Sequence, residues 1–334
     1  MNKKKKVTIY DIARISGFSP KTVSRVVNGE KNVKKSTYEK INQILQEYNY
    51  VPNTYARGLI NKTNRNILIS VPKTEFYPLE WFHILLEKII LECRKHDMNT
   101  IVEYTEPNDS MENSVLYSSS SFIGAAVIFY ESPMDQRIIY LQKLGIPFIV
   151  FGKSDTEGVT YVTNNDYDAL KSLMYYLVSK GLEKVSLLIG DQSLVNMDRV
   201  QGVKDAYGEL GLDASLIEVV YQMKTVEDVY LYTKAGFTKE NIPDAIFVSG
   251  DEKVIGLIRA LNELNIKIPA DVSIVGFDNI PWAQYFDPSL TTIAQDFTTL
   301  SKEIVNRLES LINGMTDLTS IEVPTKLIIR ETTK

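Results

Sequence analysis

Ser19-Pro20-Lys21-Thr22-Val23-Ser24-Arg25-Val26-Val27-Asn28 decides the architecture of the amino-terminal region. Wound as a helix, it turns Val23, Val26 and Val27 to one side and sends Lys21, Thr22, Ser24, Arg25 and Asn28 outward or sideways as hydrogen-bond donors. Ser19 suits the capping position ahead of such a helix. Pro20 suits its first turn, where a missing N–H has no consequence. Gly17-Phe18-Ser19 separates it from an earlier helix at 9–15, and a third follows at 37–48. Ile12, Ala13, Val23, Val26, Ile41, Ile44 and Leu45 give these three helices a small core. The arrangement predicts a helix-turn-helix, whose second helix enters the major groove of DNA by its N-terminal end. Pro20 and Lys21 then meet base edges, Thr22 and Ser24 suit phosphates, and Arg25 suits a guanine or a phosphate. For this segment alone, an amphipathic helix with a solvated polar face is the alternative.

Charge supports the groove. The net charge of −5 conceals 14 Lys+Arg against 4 Asp+Glu in residues 1–65, leaving 23 against 38 in the remainder. A basic head on an acidic body places the polyanion at the head, although a basic terminus by itself also serves as a solubilising tail. The lysines of residues 1–6 have no apolar run behind them, so they do not read as a secretory signal. No apolar stretch reaches the ~18 residues a membrane span requires, and no membrane partner is expected. The single Cys93 excludes an internal disulfide and favours a cytoplasmic, nucleoid-associated protein. His83, His96 and Cys93 lack metal-ligand spacing, so no metal and no cofactor is expected.

Beyond the head, Asn49-Tyr50-Val51-Pro52-Asn53 ends the third helix, because Pro52 cannot continue it. Residues 54–61 could form a helix of about two turns, too short to be stable alone, which reads as a conditional linker. From Asn66 onward, strand-like runs at 67–71, 100–103, 125–129, 148–151, 185–189, 217–220, 245–248 and 273–275 alternate with helical stretches at 79–95, 136–144, 167–180, 200–210, 226–235 and 253–264. That alternation predicts parallel sheets with helices on both faces. A break near Asn164 divides the pattern into two similar halves. The expected fold is a small all-α helix-turn-helix domain (1–52), a hinge helix and linker (53–65) and an α/β core (66–334) of two doubly wound parallel-sheet lobes. Lobe 1 is expected at about 66–162 and 293–322, lobe 2 at about 163–292 and 323–330. Such lobes place a ligand cleft at the carboxyl ends of their strands.

Val7-Thr8-Ile9-Tyr10-Asp11-Ile12-Ala13, Gly17-Phe18-Ser19 and Thr22–Asn28 together resemble the N-terminus of the LacI/GalR family of bacterial repressors. Asn49–Asn53, Ala56-Arg57 and Leu59 resemble that family's hinge. Gly276-Phe277-Asp278-Asn279 and Pro288-Ser289-Leu290-Thr291-Thr292-Ile293 resemble its effector-domain signatures, and the likeness spans nearly the whole chain. The resemblance implies a periplasmic-binding-protein-like core and a repressor of carbohydrate-utilisation genes. It implies DNA contacts from Thr8, Tyr10, Ser19, Pro20, Lys21, Thr22, Ser24, Arg25 and Asn28, and from Asn53, Tyr55, Ala56, Arg57 and Leu59 in the hinge. The family's hinge helix folds only on operator DNA and wedges a leucine, here Leu59, into a minor-groove base step. Packing of Leu59 on the core is the alternative.

In the core, the resemblance points to Arg199 and Asp278 as groups that grip ligand hydroxyls, with Gln295 close by. An ion pair across the hinge is the alternative for Arg199 and Asp278. Trp81 and Phe82 match an aromatic pair at the mouth of lobe 1, and Trp282 follows the Asp278 loop. All three could stack on a sugar or be core. The chain also departs from the family pattern. Ser249-Gly250-Asp251 stands where relatives often have Ala-Asn-Asp, so the amide is absent and Asp251 remains. Asn164-Asn165 replaces a common Asp-Asn pair, and Gly152-Lys153 stands where some sugar repressors carry an acid. The expected partners are a palindromic operator, a small-molecule effector such as a sugar, and a second copy in a homodimer. Tetramers are not expected, because the chain stops at Lys334 without a leucine heptad. No Ser/His/Asp set, Cys/His pair or phosphate-cradling loop suggests an enzyme. The rival readings are a global catabolite regulator answering to a phosphorylated carrier protein and, more distantly, a sugar-binding protein with no DNA role.

Overall fold

Thr8 opens the first helix of the head. In the computed structural model, described at residues 7–27, 32–48, 50, 64–73, 80–105 and 114–334, its side chain accepts from the Asp11 N–H while Asp11 reaches back to the Thr8 backbone. This reciprocal cap starts α1 (Ile9–Ser16), and Gly17 at φ 73° ends it in the left-handed conformation a Cβ disfavours. Ser19 Oγ accepts from the Thr22 N–H at 3.1 Å and caps α2 (Pro20–Val27). α3 (Lys35–Glu47) has no such side-chain cap. Ile12, Ala13, Val23, Val26 and Ile41 are buried between the three helices, with Ile44 and Leu45 packed against them. Fully burying each large aliphatic contributes roughly 1.5–3 kcal/mol.

Residues 63–334 form a separate unit. It comprises β1 (Asn66–Pro72), α4 (Glu80–Lys95), β2 (Asn99–Thr105), β3 (Ala125–Phe129), α5 (Gln136–Leu144), β4 (Phe148–Phe151), β5 (Tyr161–Asn164), α6 (Asp166–Ser179), β6 (Val185–Leu188) and α7 (Leu194–Leu210). These are followed by β7 (Ile217–Val220), α8 (Val226–Gly236), β8 (Ala245–Val248), α9 (Val254–Glu263), β9 (Ser273–Asp278), β10 (Thr291–Ala294), α10 (Phe297–Ile312), β11 (Ile321–Val323) and β12 (Lys326–Ile328). Two six-stranded sheets result, ordered β11-β5-β4-β3-β1-β2 and β12-β10-β9-β8-β6-β7. Within the first, Ile67, Ile69 and Val71 face α4 and α10, whereas Leu68 faces Leu116, Ile138 and Leu141. Period-two alternation with both faces buried is the pattern of a parallel sheet covered by helices.

The chain passes between the sheets three times, after Asn164, after Ala294 and after Val323. The last passage separates two three-residue strands at Pro324. Pro324 cannot donate a ladder hydrogen bond, so β11 pairs parallel with β5 and β12 antiparallel with β10. Both sheets were expected to be wholly parallel, and the second therefore carries one antiparallel edge. α7 begins six residues before the expected 200. Its residues Asn196, Arg199, Gly202, Val203 and Ala206 are all buried, so no polar face marks its start. The crossing of α6 and α7 depends on Gly202, where a Cβ would lie 2.3 Å from the Tyr167 carbonyl oxygen.

Candidate functional site

On the head, Pro20, Lys21 and Arg25 are exposed, Thr22 and Ser24 are half-buried, and Val23 and Val26 point inward, so one face of α2 is presented to solvent. Thr22 Oγ1 lies 2.9 Å from Ser19 Oγ, which ties both hydroxyls into the cap. Thr8 is likewise engaged with Asp11, at 2.7 Å between side chains, while Tyr10 is 72% exposed and available to a partner. Asn28, Asn53, Tyr55, Ala56, Arg57 and Leu59 lie outside the described residues.

In the core unit the carboxyl ends of β5, β6, β8 and β9 bring polar side chains together. Arg199, on α7, donates from Nε to Asp166 Oδ1 at 2.7 Å and from Nη1 to Ser249 Oγ at 3.0 Å and Asn196 Oδ1 at 3.3 Å. Its guanidinium carbon sits 3.9 Å from the centre of the Phe277 ring, a stacking that fixes the plane of the fork. The partner Asp166 is the first residue of α6, so the ion pair stays within the second lobe and does not cross the hinge. Nη2 makes no hydrogen bond among the described residues.

Asp278 ends β9 at φ 115° and is buried. Its Oδ1 accepts from Gln295 Nε2 at 2.5 Å, and Gln295 Oε1 accepts from Asn164 Nδ2 at 2.8 Å. Gln295 thus joins Asp278 to two of the three passages between lobes. Asp278 Oδ2, Asp166 Oδ2, Asn164 Oδ1 and Glu252 Oε2 are buried with no partner among the described residues. Burial, reinforced by Asp251 and Glu252, raises the Asp278 carboxyl well above its ordinary range. Burial also raises Asp166, against the pull of Arg199. A cluster of buried, unpaired acceptors beside a held guanidinium is chemically suited to a ligand rich in hydroxyl groups.

The first lobe contributes aromatic surface. Trp81 packs edge-on to Phe82 and Tyr130 and tilts over Phe151, with centroids 5.9–6.2 Å away. Burial first, then the charges of Asp278, Glu252 and Asp191, pushes the Tyr130 phenol above its usual range. Two further contacts close the gap between lobes. The Glu80 N–H donates to Glu252, and Lys153, after β4, pairs with Asp198 on α7 as well as with Glu322 at 3.4 Å.

Two sequence expectations change. Phe82 is 1% exposed and packs edge-on to Phe129 in the lobe 1 core, because its position on α4 faces the sheet and not the cleft. Asp251 is fully buried, and its two oxygens accept from Thr292 Oγ1 at 2.7 Å and the Ile280 N–H at 3.0 Å, so it latches β10 and the β9 loop to the turn after β8. Trp282 stands 46% exposed beside that loop. Asp166, Asn196 and Tyr130 were not foreseen, and Asn164 and Ser249 entered only as departures from the family pattern. Only the Asn164-Asn165-Asp166 stretch, beside the expected lobe break, carried a signal that could have found any of them.

A helix-turn-helix head joined to a two-lobed α/β core with a polar interlobe site defines a DNA-binding transcriptional regulator. Residues 8–53 match bacterial regulatory proteins of the lacI family, and residues 174–333 match the periplasmic binding protein-like domain. The chain is 30% identical over 334 residues to catabolite control protein A of Staphylococcus xylosus, covering 98% of this chain and 99% of the relative. It is 25% identical to the HTH-type transcriptional repressor PurR of Haemophilus influenzae over 98% of both chains. Among solved structures, the lac repressor dimer bound to operator and the anti-inducer ONPF matches with a TM-score of 0.85 at 26% identity, covering 98% of this chain and 99% of that one. The chain belongs to the lacI family of bacterial regulatory proteins.

Proposed function

We propose that this protein is a homodimeric repressor of carbohydrate-utilisation genes whose operator affinity is set by a sugar or related polyol bound between the core lobes. The carrying observation is a pair of buried carboxylate oxygens without partners among the described residues, one on Asp166, which pairs with the Arg199 guanidinium, and one on Asp278. Hydroxyl groups donate to such oxygens and accept from Arg199, whereas groups that only accept would leave the carboxylates unsatisfied. Trp81, Tyr130 and Trp282 offer faces for a sugar ring, and Gln295 and Asn164 transmit occupancy to the passages between lobes. A ligand that prefers one lobe arrangement changes operator affinity by the same coupling free energy. At the head, Pro20 and Lys21 read base edges, while Thr8, Tyr10, Ser19, Thr22, Ser24 and Arg25 add backbone or base contacts. Asn28 and the hinge residues Asn53, Tyr55, Ala56, Arg57 and Leu59 complete the set, with Leu59 as the minor-groove wedge. Two heads on a two-fold axis match a palindromic site.

Titration of the full-length protein onto a palindromic operator duplex, at several salt concentrations and with a panel of mono- and disaccharides, tests this reading. Steep salt dependence and a change in affinity with one sugar are expected. Equal, weak binding to all duplexes with or without sugars refutes it. The 30% identity to a catabolite control protein favours a second reading, a global regulator that answers to a phosphorylated carrier protein. An operator response to sugar alone, with no carrier present, separates the two. The protein binds its sugar without turning it over, and an unchanged sugar pool after prolonged incubation is the expected result.

A further inference from the structure

At the end of β9 two consecutive residues hold left-handed backbone, Asp278 at φ 115° and Asn279 at φ 53°. Among the described residues no other adjacent pair without glycine does so. Such conformations persist only where surrounding contacts over-determine them. Three groups from separate parts of the chain supply those contacts here. Thr292 Oγ1, on β10, accepts from the Asn279 N–H at 3.3 Å, and Asp251 takes the next amide, that of Ile280. Arg330, two residues beyond β12, donates from Nη2 to Asn279 Oδ1 at 2.8 Å and from Nη1 to the Leu290 carbonyl oxygen at 2.7 Å. Its own N–H donates to Thr291 Oγ1 at 2.8 Å, so the side chain is fixed at its base as well as at its tip. Of the three groups, only Arg330 grips the Asn279 side chain.

We propose that Arg330 is a positioning residue of the effector cleft, which holds Asn279 in its left-handed turn and thereby aims the Asp278 carboxylate from the third passage between the lobes. The inference rests on reading the interlobe cleft as a sugar site. Gln295 ties Asp278 to the first two passages, and Arg330 follows the third, after Val323 and β12. The carboxylate is thus referred to all three crossings at once, and a movement of one lobe on the other changes its aim. Arg330 acts through Asn279 and not by touching ligand, since its two Nη groups are directed to Leu290 and Asn279. Asparagine tolerates left-handed backbone better than most residues, but once Arg330 releases its side chain the ordinary conformations compete. A turn that is correctly formed in only a fraction of molecules weakens ligand binding by that fraction.

The test is a thermal-shift titration of the full-length protein with D-glucose, D-galactose, D-ribose, maltose and cellobiose as probes. Wild type is compared with Arg330→Met, Arg330→Lys, Asn279→Ala, Asn279→Gly and the double variant Asn279→Gly/Arg330→Met. At least one sugar is expected to raise the wild-type melting temperature. The same sugar should bind Arg330→Met and Asn279→Ala about tenfold or more weakly, as loss of a hydrogen bond to a charged group implies. Arg330→Lys should recover part of the affinity, because its ammonium can still donate to Asn279. Glycine takes this backbone conformation without a partner, so Asn279→Gly should bind nearly as wild type does, and adding Arg330→Met to it should change little. An arginine with a merely structural role would lower the melting temperature of the unliganded protein and leave sugar affinity alone. That result, or a tenfold loss that persists on the glycine background, overturns this proposal and leaves the sugar reading intact. Should Arg330→Met fail to fold, Asn279→Ala and Asn279→Gly decide the matter, and equal sugar affinity in those two overturns the proposal. A wild-type protein that none of the five sugars stabilises overturns both.

Discussion

Replacing Lys253 by methionine should stabilise the core, and the size of the effect should depend on pH in one direction. Burial drives the Lys253 ammonium from an ordinary 10.5 down to about 8. Asp278, Glu252 and Asp191 pull the other way, and Arg199 adds to the depression. The folded protein thus releases this proton near pH 8, while the unfolded chain holds it to 10.5. Between those values the unfolded state binds more protons, so the wild-type protein gains stability as pH rises. At pH 7 the charged group destabilises the fold by roughly 3 kcal/mol relative to a neutral side chain, and at pH 9.5 by only about 1.5 kcal/mol. Methionine is close in length and shape, so its own packing change should remain below about 1.5 kcal/mol. Urea unfolding followed by the fluorescence of Trp81 and Trp282 measures the gap at both values. A variant more stable at pH 7, with an advantage smaller by about 1.5–2 kcal/mol at pH 9.5, is expected. A gap that does not change with pH, or a less stable variant at pH 7, refutes the assignment of Lys253 as a buried cation.

Lys21→Ala should weaken operator binding by about tenfold or more, through loss of a base or phosphate contact, and leave the melting temperature of the core unchanged; fluorescence anisotropy with a labelled duplex reads the first and calorimetry the second. Leu59→Ser should reduce operator affinity far more than core stability, and unchanged affinity would remove the wedge role. Gly202→Val pushes a side chain against the Tyr167 carbonyl and should destabilise the core by about 1–3 kcal/mol, seen as a lower urea midpoint. Lys153→Ala removes the ion pair that joins the lobes through Asp198, a partly exposed interaction worth about 1 kcal/mol. Small-angle scattering should then report a more open unliganded core, and an unaltered profile would show that other contacts hold the lobes together.

The parts of the fold legible in the sequence are those written in short range. The reciprocal cap of Thr8 and Asp11, Gly17 at the helix end and Ser19 ahead of Pro20 act within three or four residues, and the head follows from them. The buried strands of both lobes read as apolar runs because helices cover both faces. β5 and β10 are not legible because Tyr161–Asn164 and Thr291–Ala294 carry few aliphatic side chains, whereas the equally short runs at 148–151 and 245–248 are wholly apolar. The cleft was harder to read, since its partners lie far apart along the chain. Arg199 finds Asp166 33 residues earlier, and Asp251 meets Thr292 41 residues later. An aspartate at the end of a strand looks the same in sequence whether it faces ligand, as Asp278 does in our reading, or knits two loops together, as Asp251 does. Lys253 escaped notice for a related reason. A lysine after Asp-Glu reads as surface charge until the turn at Gly250 is seen to fold it inward.

The passage of the chain back and forth between the sheets has a consequence for how the protein is made. β11 and β12 border the two sheets, so a polypeptide halted before Ile321 leaves β5 and β10 with bare backbone edges. Such edges recruit strands from other molecules. A nascent protein at that stage has most of its interior in place and yet two adhesive borders at once. A premature stop codon only a few residues upstream of this pair of strands should therefore yield aggregates instead of a soluble, slightly shortened regulator.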